Sequence, residues 1–118
     1  MSNPDLVIWL QERTAFGTLS LEALNAIAQV MEERVVAANT RLVQEDTPIE
    51  YLYILQQGQL ESDRTVSSSN IWGVSWLPGA IIHLQELLFD QSAQRTAKTL
   101  SECHLWLIPA AKFKQLLL

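Results

Sequence analysis

The residue types best suited to catalysis or metal binding are few in this chain, and their spacing matches no known site. The sequence contains two histidines, His83 and His104, and one cysteine, Cys103. Metal sites need several such ligands at characteristic short spacings, which these three residues do not show. No Ser-His-Asp arrangement stands in a recognisable motif, and no glycine-rich phosphate loop precedes a helix. We therefore predict neither a metal site nor an enzyme, and we interpret Cys103 as an inert core thiol.

The charge balance argues against direct binding to nucleic acid. Thirteen acidic side chains outnumber eight basic ones, which gives a formal net charge of −5, and the basic residues are scattered along the chain. Binding to a phosphate backbone depends on clustered lysine and arginine side chains. We therefore expect no nucleic-acid contact from these residues.

The chain is also predicted to be cytoplasmic and to lie outside the membrane. No apolar run approaches the ~20 residues that a spanning helix needs. The run from Leu77 to Ile82 is interrupted by Pro78 and Gly79. The N-terminus lacks the basic start and apolar stretch of a signal peptide. A single cysteine cannot form an internal disulfide, which fits a reducing compartment.

Hydrophobic spacing and turn residues predict helices at both ends of the chain and short strands between them. Ser20 is expected to cap the clearest helix, which ends near Arg34. Short β-rich segments separated by turn residues follow, with a polar hairpin tip at Ser67 to Asn70. The 118 residues are predicted to form one domain, with helices within 1–34, strands within 35–108, a short helix at 83–89 and the start of a C-terminal helix at 109–118.

Several strings occur in the order and spacing of one known family. Leu19 to Leu24 is similar to the opening LSPEEL helix of cyclic-nucleotide-binding domains, and Leu52 to Gly58 resembles their LYIILSG strand and turn. Leu77-Pro78-Gly79 resembles the turn before their nucleotide pocket, and Leu105 to Pro109 resembles their last strand. The chain therefore resembles the sensor domains of CRP/FNR-type regulators and the related domains of cyclic-nucleotide-dependent kinases and gated channels.

This resemblance implies a mainly β fold with flanking helices, an eight-stranded double-stranded β-helix of the β-roll or jelly-roll type. It also implies a pocket for cAMP or cGMP, with no other cofactor required. In that family, backbone N–H groups at a short helix hold the cyclic phosphate, and an arginine pairs with it. A glutamate accepts a hydrogen bond from the ribose 2′-hydroxyl, and a glycine lets the backbone approach the ligand closely.

Two registers of the phosphate-binding segment fit the sequence, and we favour the one without gaps. Pro78 to Pro109 has the same length as the corresponding family segment. The ungapped register places His83 at the glycine position, Leu84 at the glutamate position and Ala93 at the arginine position. Both charged ligand contacts are then lost, so this register predicts weak or absent binding of cAMP and cGMP.

The alternative register shifts the middle of the segment by two residues. Glu86 then stands at the glutamate position and Arg95 at the arginine position, with Gln85 in place of the glycine and Thr96 after the arginine. A two-residue shift keeps each strand side chain on its own face, so this register stays open. Across both registers, the candidate ligand-binding residues are His83, Leu84, Gln85, Glu86, Arg95 and Thr96.

The function predicted from these observations is a regulatory or sensor domain with a degenerate nucleotide site, controlling an effector outside the chain. Two alternatives stay open. One is a functional cyclic-nucleotide site built on Glu86 and Arg95, and the other is a ligand-free module for protein interaction or dimerisation. The expected partners are a cyclic nucleotide and an effector domain or protein, with a homodimer among the arrangements considered.

Overall fold

The structure, a computed structural model, describes residues 4–66 and 69–116. Within these ranges, helices stand at both ends, and eight strands with one short helix lie between them. None of the helices in these two ranges is long and apolar enough to cross a membrane. The elements are α1 (Pro4–Arg13), a 3-10 helix (Ala15–Thr18), α2 (Leu21–Val30), β1 (Glu32–Val36), β2 (Arg41–Val43), β3 (Tyr51–Gln57), β4 (Leu60–Val66), β5 (Ser69–Trp76), β6 (Ile81–Ile82), α3 (Leu84–Leu88), β7 (Thr96–Thr99), β8 (Cys103–Pro109) and α4 (Ala110–Leu116).

The strands form two antiparallel four-stranded sheets, in the orders β1-β8-β3-β6 and β2-β7-β4-β5. In the first sheet β3 pairs with β8, from Tyr51 opposite Pro109 to Gln57 opposite His104. In the second sheet β4 lies between β5 and β7. The chain therefore passes between the two sheets as it advances, which confirms the predicted eight-stranded β-roll with flanking helices.

Alternating side chains of β3 divide the core into two layers. Leu52 and Ile54 belong to an outer cluster, where the helices cover the first sheet. Tyr53 and Leu55 belong to an inner cluster between the two sheets. Because successive strand side chains point to opposite faces, this one buried strand packs against both the helices and the second sheet.

The helix α2 begins where the sequence predicts and ends earlier. The Ser20 hydroxyl accepts a backbone N–H of the first turn at 3.1 Å, as an N-cap does. The helix ends at Val30 and not near Arg34, because Met31 is extended, with φ −79° and ψ 140°. The charged residues that follow form β1, an exposed edge strand paired with β8. Charged side chains suit a sheet edge as well as a helix, and the pairing with β8 decides between them.

The predicted hairpin tip is described only in part. Ser67 and Ser68 lie outside the described residues, and Ser69 and Asn70 belong to β5. The strands β4 and β5 pair on either side of this connection, from Leu60 opposite Trp76 onwards.

A close backbone contact joins α1 to the turn that leads towards α3. Gly79 has φ 95°, and its N–H donates to the carbonyl oxygen of Leu55 at 2.7 Å. A Cβ atom at Gly79 would lie 2.0 Å from the carbonyl oxygen of Arg13, the last residue of α1. Glycine is the residue that fits both this φ and this space, so α1 and the turn hold one another in place.

Candidate ligand-binding site

A cavity of about 540 Å³ lies between α3, the end of β5 and the residues that lead into β7. Its volume is within the ~300–1,000 Å³ that is typical of small-molecule sites. Five of the six candidate residues from the sequence line this cavity, and the sixth, Thr96, does not. The lining residues are Trp76, Ile81, His83, Leu84, Gln85, Glu86, Leu88, Phe89, Gln94 and Arg95.

His83 precedes α3 with a left-handed backbone, φ 65° and ψ 26°. This conformation costs a residue with a Cβ atom roughly 1–2 kcal/mol. The carbonyl oxygen of His83 accepts the N–H of Leu87 at 3.2 Å, while the imidazole makes no capping hydrogen bond to the helix. The imidazole is therefore free of the helix backbone and lines the cavity.

The His83 imidazole and the Glu86 carboxylate form a partly buried pair at the start of α3. Nδ1 of His83 lies 2.5 Å from Oε2 of Glu86, and the two side chains are 3% and 14% exposed. The same oxygen accepts the backbone N–H of Gln94 at 3.2 Å. An ionised carboxylate can only accept, so Nδ1 carries the proton of this bond. Glu86 thus ties α3 to the segment before β7, and its Oε1 makes no hydrogen bond to any residue that the structure describes.

Two buried polar atoms at this cavity have no hydrogen-bond partner within the described ranges. They are Nε2 of His83 and Nη1 of Arg95. Buried polar atoms in folded proteins are nearly always hydrogen-bonded, so two unpaired ones at a single cavity need an explanation. A guanidinium group can only donate, so Arg95 offers an unused donor to any ligand with acceptor oxygens.

The rest of the cavity wall is largely apolar and aromatic. The Trp76 indole meets the His83 ring edge-on, with ring centroids 5.9 Å apart and planes at 78°. Leu88 and Phe89 line the cavity and are 49% and 67% exposed. The cavity therefore combines a polar end, formed by His83, Glu86 and Arg95, with an apolar wall suited to a flat ring.

Two residues singled out in the sequence lie elsewhere. Thr96 is buried in β7, where its hydroxyl accepts the backbone N–H of Glu45 at 3.0 Å and the side-chain amide of Gln44 at 3.4 Å. Ala93, the arginine position of the ungapped register, is 1% exposed and lies outside the cavity. Its backbone is hydrogen-bonded to residues 46–47. The structure therefore brings Arg95, and not Ala93, to the cavity.

Five lining residues were not among the six candidates from the sequence: Trp76, Ile81, Leu88, Phe89 and Gln94. Gln94 contributes its backbone N–H to Glu86, and a backbone donor leaves no signal in residue type. Ile81, Leu88 and Phe89 are apolar, and apolar residues are ordinarily assigned to the core. Leu87 is the buried residue of this short helix, so the helical period places the next residue, Leu88, on a different side. That spacing could have indicated that Leu88 lies outside the core.

Tyr53 and Cys103, two other side chains with titratable groups, do not line this cavity. Burial raises the pKa of Tyr53 above its usual value, while the nearby Arg34 lowers it. The Cys103 thiol is buried and donates to the carbonyl oxygen of Gln59 at 3.3 Å. Within the part of the chain that the structure describes, no three His, Cys, Asp or Glu side chains are grouped to hold a metal.

Comparison with known proteins agrees with this fold. The family model described as "Cyclic nucleotide-binding domain" matches residues 33–118. The chain belongs to the cyclic-nucleotide-binding domain family. The family predicted from the sequence strings is thus confirmed. Among solved structures, this domain is similar to the regulatory domain of Toxoplasma gondii PKA with cAMP, with a TM-score of 0.88 and 26% identity, over 96% of this chain and 43% of that one.

Two further structures share the fold of this cyclic-nucleotide-binding domain. One is the regulatory subunit of a cAMP-independent protein kinase A from Trypanosoma cruzi bound to guanosine, with a TM-score of 0.87 and 15% identity, covering 97% of this chain and 41% of that one. The other is a cyclic nucleotide-binding-like protein from Brucella abortus, with a TM-score of 0.78 and 21% identity, covering 96% of this chain and 97% of that one. The domain spans less than half of the two kinase chains. No curated protein matches its sequence.

Proposed function

We propose that this domain is a non-catalytic regulatory sensor that binds a cyclic nucleotide through Arg95 and Glu86 and controls an effector. The observation that carries the proposal is the unpaired, buried Nη1 atom of Arg95 in the same cavity as Glu86. A phosphate oxygen would satisfy this donor with a charge-assisted hydrogen bond. The proposal follows the shifted register at Arg95 and replaces the degenerate site that the ungapped register predicts.

The other walls of the cavity fit the remaining parts of a nucleotide. Oε1 of Glu86 has no partner among the described residues and can accept a hydrogen bond from a ribose hydroxyl. Trp76 and Phe89 offer aromatic surface to a base. Leu84 stands where the ungapped register expects the ribose-binding carboxylate, and Glu86 supplies one from the same helix turn.

Isothermal titration calorimetry with cAMP and cGMP tests the role of Arg95. A hydrogen bond to a charged group contributes ~1.5–3 kcal/mol, so Arg95→Ala is expected to weaken binding by about 10- to 150-fold. Arg41→Ala is the matched control, because Arg41 is an exposed arginine on β2 that does not line the cavity. Equal affinities of Arg95→Ala and the wild type would contradict the proposal.

Adenosine and guanosine separate recognition of the phosphate from recognition of the base and sugar. If Arg95 binds the phosphate, both nucleosides bind more weakly than the matching cyclic nucleotide, and Arg95→Ala does not weaken them further. Tight nucleoside binding that is insensitive to Arg95→Ala would show that the base and sugar alone are recognised. The Trypanosoma cruzi relative bound to guanosine makes this arm of the experiment informative.

A second candidate function, a protein-interaction module, is favoured by exposed apolar side chains near the cavity. Leu77 is 73% exposed and Phe89 67% exposed, and such residues often mark contact surfaces. The same titrations discriminate the two functions. If none of the four ligands binds the folded wild-type domain, the interaction module becomes the better account.

A further inference from the structure

The imidazole of His83 is held in one orientation with one nitrogen unused. Nδ1 is committed to Glu86 at 2.5 Å, and Nε2 is buried without a partner among the described residues. Because Nδ1 carries the proton of the Glu86 bond, Nε2 is the nitrogen that gains or loses a proton. In the neutral ring Nε2 can only accept a hydrogen bond, whereas in the imidazolium it donates one.

We propose that His83 is a third ligand-contacting residue of this cavity and that its protonation at Nε2 strengthens the binding of the nucleotide phosphate. This inference rests on the proposed function. One proton from solvent adds to Nε2, and the resulting N–H donates to an anionic oxygen of the ligand. Arg95 and His83 then share the anion, which satisfies both unpaired buried nitrogens of the cavity at once.

The charges around His83 decide how strongly ligand and proton binding are coupled. Glu86, on α3, carries the carboxylate that stabilises an imidazolium, and Arg95, before β7, carries the cation that opposes it. Trp76, from β5, faces the ring with an uncharged indole. Among the side chains that the structure describes, which exclude those of residues 63–74, no other titratable group lines the cavity. A bound anion offsets the charge of Arg95, so ligand binding promotes proton uptake by His83. By linkage, protonation of His83 strengthens ligand binding by the same factor.

The coupling gives a measurable dependence of affinity on pH. A cyclic phosphodiester keeps its charge over the range in which histidine titrates, about pH 5 to 8, so the ligand adds no titration of its own. With one linked proton, the dissociation constant of cAMP should rise with pH, by at most about tenfold per pH unit.

Calorimetric titration of the domain with cAMP across this range tests the inference. His83→Asn removes the titration while keeping an amide donor for Glu86, and asparagine tolerates the left-handed backbone. His104→Asn is the matched control, because His104 is the other histidine, is 35% exposed and does not line the cavity. Repeating the wild-type titration in buffers of different ionisation enthalpy measures proton uptake directly, even if His83→Asn does not fold.

The expected result is tighter cAMP binding at low pH with uptake of a proton, lost in His83→Asn and retained in His104→Asn. The inference is overturned if the wild type binds with constant affinity and no proton uptake, or if the pH dependence persists in His83→Asn. In those cases Arg95-dependent binding can still stand, and the proposed function with it. If the wild type binds no cAMP at any pH, the proposed function and this inference both fail.

Discussion

The contact between His83 and Glu86 should stabilise the ligand-free domain, and a double-mutant cycle can measure by how much. The variants are His83→Ala, Glu86→Ala and the double substitution. Alanine at a φ of 65° is strained, but this strain is present with and without Glu86 and cancels in the coupling energy. The N–H of Gln94 also loses its acceptor in both Glu86→Ala backgrounds, and that loss cancels as well.

The geometry gives the size of the expected coupling. A hydrogen bond to a charged group contributes ~1.5–3 kcal/mol when it is well shielded. The Glu86 side chain keeps 14% exposure, and burying the imidazole at 3% exposure costs part of its hydration. We therefore expect a coupling free energy of about 1–2 kcal/mol, since one buried bond of this kind is removed.

Urea unfolding at neutral pH, followed by far-ultraviolet circular dichroism, supplies the four free energies of unfolding. Equal slopes of free energy against urea would show that the denatured state is unchanged across the cycle. Free energies that add to within ~0.3–0.5 kcal/mol would mean that the two side chains do not interact. That outcome would refute the hydrogen bond between His83 and Glu86.

Three further predictions concern the fold. Gly79→Ala should destabilise the domain by roughly 3 kcal/mol or more. A φ of 95° is unfavourable for alanine, and the added Cβ atom would clash with the Arg13 carbonyl oxygen. Thermal unfolding measures this loss. Ser20→Ala should cost ~0.5–2 kcal/mol by removing the N-cap of α2, and an unchanged unfolding midpoint would contradict it. Because burial raises the Tyr53 pKa above 10.0, the folded state keeps a proton that the unfolded chain loses. The free energy of unfolding should therefore fall as pH rises beyond about 10, and it should fall less steeply in Tyr53→Phe. Measurements at pH 7 are the internal control, because the Tyr53 hydroxyl is neutral there in both the folded and the unfolded chain.

The strand content and the first helices follow from local signals in the sequence. Ser20 caps α2 as predicted, because an N-cap depends on residues within one turn. The strand β2 lies inside the stretch 35–108 that was predicted to form strands, and β8 ends one residue beyond it. The end of α2 could not be predicted, because the charged residues 32–34 are compatible with a helix until β8 pairs with them. Such pairing joins residues about seventy positions apart and leaves no local trace.

The candidate site was predictable in composition and not in arrangement. Sequence alone named His83, Glu86 and Arg95, but it left open which residues of the segment line the cavity. The answer depends on the path of the chain between α3 and β7, where the backbone of Ala93 is hydrogen-bonded to residues 46–47 and Arg95 reaches the cavity. These contacts come from a distant turn. The His83–Glu86 bond likewise follows from a left-handed residue that no helix propensity predicts.

The central claim is that Arg95 binds the phosphate of a nucleotide in the cavity beside α3. A crystal structure of the domain grown with cAMP tests it most directly. We predict a phosphate oxygen at ~2.7–2.9 Å from Nη1 of Arg95, with the ribose against Glu86. A phosphate bound away from Arg95, or a cavity that excludes cAMP while Arg95 keeps its unpaired nitrogen, would contradict it.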